Sequence, residues 1–395
     1  MKRFSLILKI LFKAKFIFKN PPKKKIIIFD DVGIYDLKNL LQKYNYYVLQ
    51  VRSQNIDKVY ITFKVIKYFL KNYKGSIMTS YLVSMLEIMH PKIVITSIDN
   101  SFKFSDIARI LEKKMHFIAI QNASRFELRL NNFFLKKKIV KNNDNKRYFL
   151  PNFFCFGQYE IDEYRKFKVE VKNFFKVGGV RLSNFFHYIK KKKIKLKNSA
   201  YDICYSGEDV FFNISDWLVV KNAERDQIKI AKYLIKFCIK HNLRLITTIK
   251  YIPKNINNFN LYKEYLTKDE LRYLWNSLYK SKILYKRYQI IAESKVVVGT
   301  HSTQLREKLA MGGKILCCNL SASNAIDFPN KGICFIKNFS YEEFESRLLK
   351  IYKISKKNYY SQLKEDKEYT MLFNKKTPAF EIIRKKINEL LNKPI

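Results

Sequence analysis

The sequence predicts an α/β protein built from two Rossmann-like, doubly wound domains that face each other across a cleft. Three observations predict this fold. The chain has 395 residues, which exceeds one typical domain. Buried-strand patterns alternate with helical patterns along most of its length. The alternation starts again after a lysine-rich stretch near residue 190, so two similar halves are expected.

The first half, residues 21–186, shows strands and helices in alternation. Apolar β-branched runs predict strands, and segments with apolar residues on one side predict helices. Strands are expected at residues 25–29, 46–51, 92–96, 116–120, 148–156 and 174–180. Helices are expected at residues 37–43, 60–72, 76–89 and 105–113. This order predicts a parallel sheet with helices on both faces.

The remaining segments complete the domain plan. The lysine-rich residues 187–199 predict an exposed linker, and residues 200–340 predict the second domain. Residues 341–395 predict helices, the last of which is a candidate for packing back against the first domain. Residues 1–20 alternate apolar side chains with basic ones. They predict a basic amphipathic segment that lies on a membrane, or alternatively an ordinary first helix or a frayed end.

Residues 295–319 carry the most informative local pattern, a strand, a polar turn, a helix and a second strand. Gly299 lets the chain turn sharply after the first strand. Ser302 or Thr303 can cap the helix. The free amides and positive end of that helix can hold a phosphate at the carboxyl edge of the sheet. The alternative is an ordinary βαβ unit in which Ser302 and Thr303 only cap the helix.

The composition limits the classes of partner. The formal charge is +43, from 77 Lys+Arg against 34 Asp+Glu. Such a charge attracts nucleic acids, anionic lipid headgroups and phosphorylated substrates, although an AT-rich coding sequence would also give this composition. No zinc-finger spacing or RNA-recognition signature occurs, so no specific nucleic-acid partner is expected.

The cysteines and the N-terminus indicate a compartment. Six cysteines without a Cys-x-x-Cys motif predict small buried side chains in a reducing environment. The uncharged runs in residues 1–20 are far too short to span a bilayer, and no signal cleavage site follows an apolar core. We therefore expect a cytoplasmic protein that its basic surface can hold peripherally at the inner membrane.

Several local strings, in this order, resemble a family of bacterial surface carbohydrate (polysaccharide) biosynthesis proteins. They lie at residues 94–100, 120–125, 176–179, 201–203 and 298–307, and the resemblance spans roughly residues 25–340. That family resembles GT-B glycosyltransferases and is similar, at a distance, to polyol-phosphate transferases and UDP-N-acetylglucosamine 2-epimerases. The resemblance implies a GT-B-like fold and a surface-polysaccharide pathway. Ala123 departs from it, because glycine is expected after Gln121 and Asn122.

A sugar-nucleotide transferase of this architecture would hold its donor on the second domain. The predicted donor-binding residues are Ser206, Gly207, Glu208, His301, Ser302, Thr303 and Glu307. Hydroxyl groups beside free helix amides can bind phosphate, and Arg306 can pair with it. The carboxylate of Glu307, one helical turn beyond Thr303, can accept both ribose hydroxyls. For residues 206–208 and His301 the alternative is a plain turn, and for Ser302 and Thr303 it is a helix cap. For Arg306 and Glu307 the alternative is a solvent-exposed position on the helix.

The first domain would hold the acceptor and the general base. Asp99 is the first candidate for the base, because inverting transfer needs a carboxylate near the acceptor hydroxyl, and Asp30 and Asp31 are the alternates. The predicted acceptor-binding residues are Asn100, Gln121, Asn122 and Arg125. The alternative for Asp99 is an N-cap or Asx-turn residue, and the alternative for Gln121, Asn122 and Arg125 is a set of hydrogen bonds that stabilise the loop. No Asp-x-Asp metal signature stands in a suitable context, so we expect no metal and no cofactor, with the nucleotide-sugar as a substrate.

Three classes of function remain open. The first is a glycosyltransferase that builds a surface polysaccharide from a nucleotide-sugar donor and a glycan or lipid-linked acceptor. The second is a polyol-phosphate transferase or a UDP-N-acetylglucosamine 2-epimerase-like enzyme on the same fold. The third is a non-catalytic protein that binds an anionic glycan. Conversion of a UDP-sugar without any acceptor would favour an epimerase.

Overall fold

The first half of the chain folds around a six-stranded parallel sheet with the strand order β3-β2-β5-β6-β7-β8. A computed structural model describes residues 14–393 apart from residues 53–54, 74, 126–147, 168, 208–222, 250–254, 257–258, 282, 284, 301 and 322. The strands of this sheet are β2 (Ile26–Phe29), β3 (Tyr46–Leu49), β5 (Ile93–Thr96), β6 (His116–Ile120), β7 (Phe149–Cys155) and β8 (Glu170–Lys176). The helices of this lobe are α1 (Ile34–Leu41), α2 (Phe63–Asn72), α3 (Ile77–Met89), α4 (Phe102–Leu111), α5 (Gln158–Lys166) and α6 (Val180–Lys191).

The central strands of this lobe are buried on both faces. All four side chains of β2 are at most 1% exposed. Ile27 and Phe29 join one hydrophobic cluster, whereas Ile26 and Ile28 join another. This alternation follows from the two-residue period of a strand. The sheet therefore carries a separate core on each face, as a doubly wound sheet does.

The second half folds around a five-stranded parallel sheet with the order β10-β9-β11-β12-β13. Its strands are β9 (Tyr201–Gly207), β10 (Leu245–Ile249), β11 (Ser294–Gly299), β12 (Lys314–Asn319) and β13 (Phe335–Lys337). Its helices are α7 (Ala223–Lys240), α8 (Asn260–Tyr265), α9 (Lys268–Ser277), α10 (Lys286–Glu293), α11 (Thr303–Ala310), α12 (Tyr341–Lys353) and α13 (Lys356–Tyr360). The β-branched run of β11 lies at the centre of the sheet, between β9 and β12, and is fully buried.

The end of the chain returns to the first lobe. Helix α14 (Lys367–Thr370) packs on α5, and α15 (Ala379–Asn392) packs on α1 and α6. Ile383 and Ile387 of α15 are fully buried in the same cluster as Ile26 and Ile28. A Cβ atom at Gly178 would lie 1.9 Å from the carbonyl oxygen of Leu372, so only glycine lets the returning backbone pass this close.

Two sequence predictions need correction. Residues 187–191 are not linker, because they continue helix α6, whose Ile189 is buried beside aromatic neighbours. Part of the predicted N-terminal segment is a short strand, β1 (Lys15–Ile17), which pairs in parallel with β4 (Lys58–Tyr60). Residues 1–13 lie outside the described residues. All six cysteines are free and buried, as expected.

Candidate active site between the two lobes

Loops that follow strands of the first sheet meet helix α11 of the second lobe. Strand β6 leads directly into residues 121–125, and strand β11 leads into the turn before α11. The backbone N–H of Ser124 donates to Oγ1 of Thr303 at 2.9 Å. The start of α11 therefore lies at the contact between the lobes, at the carboxyl edge of the second sheet.

The two predicted phosphate ligands at this helix start are already engaged. Ser302 is the N-cap of α11, and its Oγ accepts from the backbone N–H of Gln304 at 3.3 Å. The Thr303 hydroxyl holds the amide of Ser124 across the lobe contact. Both residues are half-buried. In this structure Ser302 acts as a cap and Thr303 as a lobe contact.

A buried seam of two arginine–carboxylate pairs joins the lobes beside this contact. We define the seam as Asp99, Arg125, Glu160 and Arg306. Arg306 pairs with Glu160 of the other lobe and also donates from Nη2 to the carbonyl oxygen of Arg125 at 2.8 Å. Arg306 is 2% exposed and Glu160 is fully buried. Arg306 is thus held inside the protein and not presented to a phosphate.

The geometry of Asp99 argues against its predicted role as general base. Its side chain is fully buried, and Arg125 donates to both carboxylate oxygens, at 2.5 and 3.0 Å. The hydroxyl of Tyr164 donates to Oδ2 at 3.1 Å. A buried carboxylate held by three such donors has no open approach for an acceptor hydroxyl. Asp99 is the counter-ion of Arg125, and Arg125 is correspondingly not free to bind an acceptor.

The alternates Asp30 and Asp31 are also bound by protein groups. Asp30 is 4% exposed with φ of 85°, and Arg52 Nε donates to its Oδ2 at 2.8 Å. Burial raises the pKa of this carboxyl, while Arg52 and the amide of Val32 oppose the rise. Asn55 Nδ2 donates to both oxygens of Asp31. These contacts tie the loop after β2 to the loop after β3.

A pocket opens between the lobes next to the seam. It is partly open to solvent and leaves about 10 Å³ for the centres of water-sized groups. The lining residues are Asp36, Leu37, Ser97, Ile120, Gln121, Asn122, Phe156, Gly179, Val180, Arg181 and Glu307. Glu307 comes from the second lobe, and the others come from the first. Three charged side chains, Asp36, Arg181 and Glu307, therefore meet around one space.

Glu307 is a titratable carboxyl that lines this pocket. Tyr288 donates a hydrogen bond to its Oε1 at 3.0 Å, and no second partner of the carboxylate is found among the described residues. Burial raises the pKa of Glu307 to about 7, although Tyr288 and Arg181 favour the charged form. The pKa of this carboxyl is therefore much nearer neutrality than the ordinary value of a glutamate, as suits a group that exchanges protons.

The first turn of α6 forms another side of the pocket. Gly179 is the N-cap, and no side chain caps the helix. The first amides of the helix therefore keep their hydrogen-bonding capacity and their partial positive charge. Arg181, 46% exposed, adds a full positive charge, and its Nε lies 2.7 Å from Oδ2 of Asp36. An uncapped helix start with an arginine is suited to binding an anion.

The other predicted site residues lie in different surroundings. Ser206 is 1% exposed and donates to Oε1 of Gln304 at 2.8 Å, and Gly207 is packed so that a Cβ atom would lie 2.8 Å from Ile249. Neither lines the pocket. Asn100 is half-buried and does not line the pocket either. Glu208 and His301 lie outside the described residues.

Gln121 and Asn122 do line the pocket, but both also support the loop. Gln121 is 2% exposed and donates from Nε2 to Glu160 at 3.1 Å, while its Oε1 accepts from the amide of Phe156 at 2.8 Å. Asn122 Oδ1 accepts from Arg125 at 3.1 Å. Asn122, which is half-buried, is the more accessible of the two.

Comparisons with known proteins address the fold. No family model and no curated protein matches the chain. S. aureus MnaA bound to UDP superposes with a TM-score of 0.55 at 10% identity, over 93% of this chain and 97% of that one. The wall teichoic acid polymerase TagF gives a TM-score of 0.53 at 10% identity, over 99% and 97%. The chain has the GT-B fold.

A third solved structure agrees with this assignment. The Methanocaldococcus jannaschii UDP-GlcNAc 2-epimerase, in complex with UDP-GlcNAc and UDP, gives a TM-score of 0.50 at 11% identity, over 92% of this chain and 99% of that one. At such identities the likeness shows the fold alone. The expected pair of Rossmann-like domains is confirmed, whereas the resemblance to a surface carbohydrate family stays a prediction.

The described ranges also bear on metal binding and on membrane spans. Within them, no group of three or more His, Cys, Asp or Glu side chains is arranged to hold a metal ion. None of the helices described there is long and apolar enough to cross a membrane.

The sequence prediction missed Arg181 and Asp36. The string Lys176-Val-Gly-Gly179 contributes to the family resemblance and also carries a structural signal. Its two glycines directly before a helix, followed by Arg181, are the signal of an uncapped helix start. Nothing in the sequence places Asp36 beside Arg181, because the pair joins α1 to α6 across 145 positions.

Proposed function

We propose that this protein is a glycosyltransferase of surface polysaccharide biosynthesis, which transfers a sugar from a nucleotide-sugar donor to a glycan or lipid-linked acceptor. The observation that carries the proposal is the pocket between the lobes. There a cation, the free amides of a helix start and a carboxyl with a pKa near 7 surround one space. Solved proteins of the same fold bind UDP and UDP-GlcNAc, which supports a nucleotide-sugar as the donor.

The negative oxygens of the donor bind at Arg181 and the first turn of α6. Arg181 can donate to phosphate while Asp36 fixes the orientation of its guanidinium group. The helix start adds backbone donors whose positive end stabilises charge on the leaving group. This location differs from the sequence prediction, which placed the phosphate at Ser302 and Thr303.

Glu307 serves as the proton acceptor for the attacking hydroxyl. Glu307 lines the pocket with only 2% of its surface exposed, Tyr288 orients its carboxyl, and its pKa of about 7 matches the working range of a general base. Its predicted role, acceptance of hydrogen bonds from ribose, uses the same oxygens. The two roles differ in their kinetics: a base mainly sets the rate of the chemical step, and a ribose ligand mainly sets donor affinity.

Nucleotide binding tests the donor site directly. Purified protein is titrated with UDP-, GDP-, CDP- and CMP-sugars in a calorimeter, and the tightest ligand is then measured with Arg181→Met. Loss of a charge-assisted contact predicts a dissociation constant raised about tenfold or more. Arg272→Met, at a position 73% exposed on α9, is the matched control and should bind normally. Failure of every nucleotide to bind would refute the proposal.

An acceptor assay separates the transferase from its alternatives. Release of nucleotide that requires a lipid-linked or glycan acceptor supports a transferase. Conversion of UDP-GlcNAc without an acceptor identifies an epimerase, and transfer from a CDP-polyol identifies a polyol-phosphate transferase. Binding of an anionic glycan without turnover of any donor would indicate a binding protein.

A further inference from the structure

Exposed apolar side chains are concentrated in one part of the first lobe. Of the twelve large apolar residues that are exposed among the described residues, six lie in or beside helix α2. They are Phe18 (76% exposed), Phe63 (84%), Ile66 (47%), Leu70 (67%), Tyr73 (51%) and Ile77 (64%). We call this set the α2 patch. Soluble proteins seldom leave so many large apolar groups together without a partner.

The helix presents these residues on one side. At 100° per residue, Phe63, Ile66, Leu70 and Tyr73 fall within an arc of about 80°. Asn72 projects from the opposite side, where its Nδ2 donates to Glu87 of α3 at 2.6 Å. The inner side of α2 is thus fixed to the lobe through α3, and the apolar side faces outward.

Lysines border this apolar side. Lys64, Lys67 and Lys71 are exposed and occupy the neighbouring arc of about 60° on the same helix. Residues 14–25 and 58–73 together contain nine lysines and no acidic residue. These two segments are held together, because β1 pairs with β4 and Thr62 Oγ1 donates to Oδ1 of Asn20 at 3.0 Å.

We propose that the α2 patch binds the surface of an anionic phospholipid bilayer, with the apolar side chains among the lipid chains and the lysines at the headgroups. A helix with an apolar side and an adjacent lysine row is suited to lying in a membrane interface. A second copy of the chain fits poorly. Two copies would bring their lysine rows together without an acidic residue in either segment to balance them.

Vesicle co-sedimentation of the full chain tests this surface. Vesicles of phosphatidylcholine alone are compared with vesicles that also contain phosphatidylglycerol, at low and at near-physiological salt. We expect stronger binding to the anionic vesicles and weaker binding at higher salt. The double variant Phe63→Ser/Leu70→Ser should lower the partition coefficient about tenfold or more, because it removes two of the most exposed apolar groups.

Two comparisons keep the result interpretable. Ile239→Ser/Ile283→Ser removes exposed apolar residues of the second lobe, at 59% and 63% exposure, and should leave vesicle binding unchanged. Equal binding by the α2 double variant and the wild type would overturn the proposal, as would absence of binding to anionic vesicles. Dimerisation in sedimentation velocity that the α2 double variant abolishes would assign the patch to a second copy instead. None of these readouts depends on catalytic activity.

Discussion

The seam and the pocket lie side by side and use the same kind of chemical group for different purposes. In the seam, Arg125 is 6% exposed and Arg306 is 2% exposed, and each is paired with a fully buried carboxylate. In the pocket, Arg181 is 46% exposed beside Asp36 at 15%. Access therefore separates an arginine that holds the lobes together from an arginine that can bind a ligand.

The difference has an energetic basis. A buried charge that loses its partner cannot be hydrated, so the buried pairs oppose any separation of the two lobes. A pair whose arginine is half-exposed is partly solvated and screened, so its disruption costs less than that of a fully buried pair. The seam can therefore set the spacing of the lobes, while Arg181 can exchange water for phosphate without a large penalty.

The largest expected effect comes from breaking the seam at Arg306. Arg306→Leu leaves Glu160 buried and unpaired, so the free energy of unfolding should fall by about 3–5 kcal/mol. Denaturant unfolding measures this change. The double variant Arg306→Leu/Glu160→Leu should recover a large part of the loss, because no buried charge remains. Arg272→Leu is the exposed control. An unfolding free energy of Arg306→Leu equal to that of the control would mean that the seam does not join the lobes.

The next effect concerns Asp99. Asp99→Asn removes the counter-ion of the buried Arg125 while keeping the shape of the side chain, so we expect a loss of stability of about 3 kcal/mol. Nucleotide affinity in the folded variant should be unchanged, because Asp99 does not line the pocket. A variant of normal stability with a severely reduced turnover rate would restore the original hypothesis that Asp99 is the general base.

The sequence predicted the architecture because its strands carry a strong local signal. The runs at Ile26–Phe29, Ile93–Thr96 and Ser294–Gly299 are apolar, and parallel strands buried on both faces require this. The helix at α11 was predicted from its cap and its terminal glycines, and Ser302 is indeed its N-cap. Local rules sufficed wherever the relevant neighbours are close in the sequence.

The candidate site was harder to predict, because it depends on contacts between distant residues. Asp99 and Arg125 are separated by 26 positions, and Arg306 and Glu160 by 146. A sequence without its fold cannot show that Arg125 occupies the carboxylate of Asp99. A buried, paired aspartate and an open catalytic one share the same local pattern, a carboxylate after a strand. Glu307 was correctly placed on a helix, but its burial and its contact with Tyr288 arise only from packing.

A third prediction concerns pH and Glu307. The pKa is 4.5 in the unfolded chain and about 7 in the folded protein. Between these values the folded protein keeps a proton that the unfolded chain has released. The stabilisation from this group is therefore complete below about pH 4.5 and is lost as the pH rises through 7.

Glu307→Gln removes this titration. The variant should become more stable than the wild type above pH 7, by up to about 3 kcal/mol, since one pKa unit corresponds to about 1.4 kcal/mol. Its turnover should nevertheless fall, because glutamine cannot accept the proton. Melting temperatures of both proteins from pH 5 to about 8 measure the stability difference. Glu389→Gln, half-exposed on α15, is the control. If the melting temperatures of the wild type and of Glu307→Gln change with pH in the same way, the raised pKa is contradicted.

The smallest expected effect distinguishes the two candidate phosphate sites, which are Arg181 with the start of α6 and the start of α11. Thr303→Val removes the acceptor of the Ser124 amide, and because this contact is half-buried, the loss of stability should be about 1 kcal/mol. Thr303→Ser keeps the hydroxyl and serves as the control. If phosphate binds at Arg181, nucleotide affinity should be the same in both variants. If phosphate binds at the start of α11, Thr303→Val should weaken it about tenfold while Thr303→Ser does not. The second result would mean that the Ser124 contact opens when the donor enters, and that the pocket holds the acceptor instead of the donor.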